Sequence, residues 1–103
     1  MRDVAALPTM NDLRQHVLTA LCRHDNLDPN QTPLEQSIIT RHGRPCGLFF
    51  QVKGPRLLKN YAIWAGEEDR ILYYNCNGER FAETKLSEAP DPRSLTIAKA
   101  IAA

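Results

Sequence analysis

Apolar side chains recur early in the chain at three- and four-residue intervals, at Met10, Leu13, Val17, Leu18 and Leu21, while Asn11, Asp12, Gln15 and Arg23 fall mostly on the opposite side. That spacing is the α-helical one, so the segment predicts an amphipathic helix that must bury one stripe. Thr9, followed three residues later by Asp12 and preceded by Pro8, marks the start, because this capping-box-like pair can satisfy orphan amides of the first turn. His24, Asp25 and Asn26 mark the end: short polar side chains compete for backbone bonds, and Asn tolerates the left-handed cap position.

Two prolines within residues 28–33 forbid a continuous helix or central strand there. From residue 34 the period changes to two. Leu34, Gln36, Ile38 and Thr40 alternate with Glu35, Ser37, Ile39 and Arg41, up to a turn cluster at residues 42–45. Residues 46–53 form the clearest strand, with Leu48, Phe50 and Val52 on a wholly apolar face and Phe49, Gln51 and Lys53 on a mixed one. After Gly54-Pro55-Arg56, residues 61–65 alternate Tyr61, Ile63 and Ala65 against Ala62 and Trp64, with either set able to face a core. An acidic turn at 66–69 precedes a β-branched and aromatic run at 71–75, and Asn77-Gly78 joins that run to residues 80–86 as a hairpin. Asp91-Pro92 then offers an N-cap and a first-turn proline, so the Ala-rich tail predicts a second short helix.

The predicted order is helix, about five strands, helix, with residues 1–8 and 102–103 as frayed ends of a single domain spanning 1–103. Short loops between the strands call for antiparallel neighbours. The fold class is therefore α+β, a two-layer arrangement of helices on an antiparallel meander. In general architecture it resembles cystatin-like and helix-grip folds, without a motif of either.

Composition narrows the classes. At 43% hydrophobic and 24% charged, the 103 residues suit a globular chain and not a disordered one. No apolar run approaches the roughly 20 residues a membrane helix needs, and the first eight residues lack a signal-type apolar segment. Three widely spaced cysteines, Cys22, Cys46 and Cys76, make no disulfide framework, which fits a reducing, cytoplasmic setting.

A net charge of +1 hides one asymmetry: between Gln36 and Gly66 lie Arg41, Arg44, Lys53, Arg56, Lys59 and His42, with no acid. An anionic ligand or single-stranded nucleic acid would be drawn there, although the two turns bearing these charges fall at opposite ends of one strand. The plain alternative is solvated loop charge. A second feature is a surplus of large apolar residues on the outer sheet face, Ile39 and Phe49 with Trp64 or Tyr74, more than two helices can roof. Metal ligation finds only fragments, His42 with Cys46 and Cys22 with His24 and His16, none with zinc-site spacing. Catalysis finds no better, since Cys46 near His42 is the only local pairing and Glu67, Glu68 and Asp69 share one exposed turn. No cofactor is expected. The residues instead suggest a binding module that uses Ile39, Arg41, Arg44, Phe49, Lys53, Arg56, Lys59 and Trp64, with a second copy or another protein as partner. A small enzyme is the remaining alternative.

Overall fold

The structure, a computed structural model, describes residues 2–53 and 59–91. Helix α1 spans Met10–His24, with Thr9 Oγ1 accepting from the Asp12 amide at 3.1 Å. Its C-terminus closes as a Schellman turn: Asn26 adopts φ 56°, its amide donates to the Arg23 carbonyl, and the Leu27 amide donates to Cys22 at 2.8 Å. Leu27 then packs on the core, the apolar contact that accompanies this cap.

The described residues form six strands: β1 Arg2–Ala6, β2 Glu35–Arg41, β3 Arg44–Lys53, β4 Lys59–Ala65, β5 Arg70–Tyr74 and β6 Arg80–Glu88, of which β2 to β6 follow the alternation of the sequence. They form one sheet in the order β1-β6-β5-β4-β3-β2. β2 to β6 make an antiparallel meander, but β1 lies parallel to β6 at the edge. The sheet is thus mixed and has six strands, where the sequence predicts about five, all antiparallel, and frayed ends at 1–8. The short segment Arg2–Ala6 has no row of large apolar residues to announce it. Its strand character comes from the free amides and carbonyls of β6, which it pairs; Leu7 extends the contact by donating to the Glu88 carbonyl at 2.9 Å. The predicted C-terminal helix, from residue 92 on, lies outside the described residues.

Turn chemistry fixes the register. His42 and Gly43 both take positive φ (54° and 78°), the combination that a tight two-residue hairpin needs. Asn77-Gly78 acts within a longer loop: only Gly78 is left-handed, and Asn75 Oδ1 accepts from the Asn77 and Glu79 amides, both at 3.0 Å. Pro45 enters β3 beside the register shift between Ile39 and Thr40, where a missing amide is tolerated.

Alternation sorts the sheet into two faces. Leu48, Phe50, Val52, Ala62, Trp64, Ile71, Tyr73 and Leu86 point inward and meet Leu13, Val17 and Leu21 of α1. Trp64 is wholly buried, which settles the undecided side of β4, although its Nε1 finds no acceptor among the described residues. Asn60, also buried, donates to Asp25 Oδ2 and ties the end of α1 to the start of β4. α1 has 15 residues, about 22 Å, and five spacings of ~4.8 Å make the sheet about 24 Å wide, so the chain can pass from β1 at one edge to β2 at the other.

Gly47 pairs with Ala65 where β3 and β4 approach too closely for any side chain: a Cβ there would sit 2.1 Å from the Trp64 carbonyl oxygen. Gly47→Ala should therefore destabilise the fold by about 1–3 kcal/mol or more, as forced overpacking does. Urea unfolding checks this, and an unchanged midpoint would refute the close approach.

Candidate functional site

Beside the core stripe of α1 runs a second one, His16, Ala20 and His24 at four-residue spacing, flanked by Thr19 and Arg23. These residues line a cleft of about 450 Å³ together with Asp3 of β1, Tyr73 of β5, and Phe81, Ala82 and Thr84 of β6. Ala20 and Ala82 help to leave this space, because their methyl groups stand where larger side chains would fill the gap between helix and sheet. The volume falls within the range of small-molecule pockets.

One end of the cleft is a polar cluster around Thr84, a residue only 2% exposed. Thr84 Oγ1 donates to Asp3 Oδ1 at 2.5 Å, while Tyr73 Oη lies 3.5 Å and His16 Nε2 3.4 Å from the same oxygen. The one hydroxyl proton is shared between Asp3 and Tyr73 Oη as acceptors, and the same oxygen lies within reach of His16. Burial pushes the Tyr73 phenol up to about 12, the Thr84 hydroxyl bonded to it opposes the rise, and the Asp3 charge adds to it, so Tyr73 remains neutral. His, Thr and Asp do not make a nucleophilic triad here. The carboxylate holds the hydroxyl instead of orienting the imidazole, and Thr84 is buried against three partners.

The other end is aromatic and cationic. The His24 imidazole stacks on Phe81 with ring centroids 3.8 Å apart and planes 12° apart, and Phe81 in turn tilts against Tyr73 at 6.1 Å. Arg23 stands exposed at the mouth and makes no ion pair with another described residue.

The residues expected from the sequence lie mainly on the opposite side of the sheet. Ile39 and Phe49 are half-buried on the outer face, whereas Trp64 belongs to the inner core and offers no surface. Phe49, Tyr61 and Tyr74 form a row across β3, β4 and β5, the first two rings 5.5 Å apart and the last two stacked at 5.0 Å. Ile63 and Leu72 occupy the adjoining positions of that face, and Val4 at its β1 edge is 68% exposed. Arg41 and Arg44 flank the first hairpin, with Arg41 3.5 Å from Glu67. Lys53 and Lys59 pair at the far end of β3, about 30 Å from Arg44 at ~3.3 Å per residue. Arg56 lies outside the described residues.

Among the described residues no three His, Cys, Asp or Glu side chains come together as a metal site. Cys46 donates to the Ile39 carbonyl, and Cys22 is sealed under the helix, where burial raises its thiol pKa in spite of a bond to Thr32, with Asp28 and Asp25 adding to the rise. No described helix is long and apolar enough to cross a membrane. No protein-family model matches the chain, and comparison with curated proteins and with solved structures finds no match either.

The cleft is absent from the sequence reading because its parts come from β1, α1, β5 and β6. The one local signal is the His16, Ala20 and His24 spacing beside the core stripe. Tyr73 gives the cleft a measurable signature. A phenol that ionises near 10 when unfolded and near 12 when folded gives its full stabilisation below pH 10 and loses it as pH rises through 12. That rise corresponds to a loss on the order of 2–3 kcal/mol. Tyr73→Phe should flatten the fall in stability between those two pH values, measured by urea unfolding. Equal slopes in both proteins would remove the proposed environment of Tyr73.

Proposed function

We propose that the chain is a small, non-catalytic binding module that pairs with a second copy of itself through the outer face of the sheet. The observation behind this reading is the row Phe49, Tyr61 and Tyr74, bordered by Ile39, Ile63 and Leu72, on the face opposite α1. Its anatomy suits an interface, with aromatic and aliphatic groups at the centre and charges at the ends, Lys53 and Lys59 on one side and the ion-paired Arg41, Glu67, Glu68 and Arg70 on the other. A net charge of +1 opposes self-association little.

The same face and its cations support the alternative of an anionic or single-stranded nucleic-acid ligand less well. Base stacking needs free ring faces, and here the rings spend their faces on one another. Arg41 and Arg70 are also engaged with Glu67 and Glu68, while the neighbouring Lys53 and Lys59 stand at the far end of β3 from Arg44.

Size-exclusion chromatography with multi-angle scattering should give a dimer mass that Phe49→Asp converts to a monomer, with circular dichroism unchanged. A wild-type chain that stays monomeric at all concentrations, or a dimer indifferent to that change, rejects the outer face as a self-interface. A fluorescence titration with a single-stranded oligonucleotide at low salt is expected to show no binding. Salt-sensitive affinity would instead favour the nucleic-acid reading.

A further inference from the structure

We infer that the cleft between α1 and β5–β6 is a binding site for a small carboxylate with a flat apolar body, held at the mouth by Arg23 and along the wall by Ala20, Phe81 and Ala82. The site is independent of the outer face.

The charges at its two ends decide the class of ligand. Asp3, the acid lining the cleft, already accepts the Thr84 hydroxyl, whereas the Arg23 guanidinium has no acid beside it among the described residues. Asp3 keeps its charge but is tied to Thr84 at one end of the cleft, so the unpaired charge at the other end is positive, and guanidinium is the group that grips a carboxylate with two parallel donors. Arg23 lies seven residues from His16, about 10 Å along the helix at 1.5 Å per residue. A carboxylate at the mouth therefore stands about a Debye length from the Asp3 end, where the repulsion is weakened.

The wall decides the body of the ligand. Phe81, Ala82 and Ala20 are apolar, and the His24 stack fixes the Phe81 ring before any ligand arrives. A preorganised wall lowers the ordering cost of binding. The Thr84, Tyr73 and His16 cluster at the inner end is already mutually satisfied, so it closes the slot without demanding a polar partner from the ligand.

The full chain, isotope-labelled, can be titrated with naphthoate and followed by amide NMR. Saturable shifts are expected at His16, Ala20, Phe81, Ala82 and Thr84, with a dissociation constant below about 1 mM. Arg23→Gln should weaken binding about tenfold, as should replacing naphthoate by the uncharged naphthylmethanol. Ala20→Leu should block the slot, while Phe49→Asp should bind like the parent chain, which keeps this result separate from the fate of the outer face. The inference is overturned by absence of saturable shifts, by shifts confined to the outer face, or by equal affinity in the Arg23 variant. A preference for the cationic naphthylmethylamine would overturn it too, by assigning the mouth to Asp3.

Discussion

Everything in this fold depends on one apolar contact, the packing of Leu13, Val17 and Leu21 against the inner face of β3 and β4, where Trp64 is fully sealed. Burying large side chains of this kind stabilises by about 1.5–3 kcal/mol each. The contact also orients the helix. Its ends are then pinned by the Schellman turn at Asn26 and by the bond between Asn60 and Asp25.

Among the described residues, α1 packs mainly on β3 and β4 and leaves part of the sheet uncovered. Both candidate surfaces follow from that shortage. On the inner side the helix leaves room toward β5, β6 and β1, and alanines at 20 and 82 keep the room open. On the outer side Phe49, Tyr61 and Tyr74 shield one another across neighbouring strands, because a ~4.8 Å strand spacing matches the distance at which rings stack.

Polar groups are handled differently on the two sides. Thr84 and Tyr73 are buried and share a network with the half-buried His16 and the exposed Asp3, which holds them in place. The outer face keeps its charges at the periphery, in solvated pairs such as Arg70 with Glu68 and Glu83, which add little stability but keep the rim wet.

Local rules were sufficient for much of this. The three- and four-residue spacing, Thr9 and Asn26 defined α1 to its caps, and alternation with Gly43 and Gly78 located β2 to β6, because such signals act between residues near in sequence. Only the tertiary structure decided the rest. Arg2–Ala6 became a strand because β6 offered it an unpaired edge, and Trp64 turned inward because the register of β4 against β3 placed it beside Leu48. The cleft likewise needed Asp3 and Thr84, 81 positions apart, to meet. Contacts across such separations depend on which strands become neighbours, and periodicity along one segment holds no information about that.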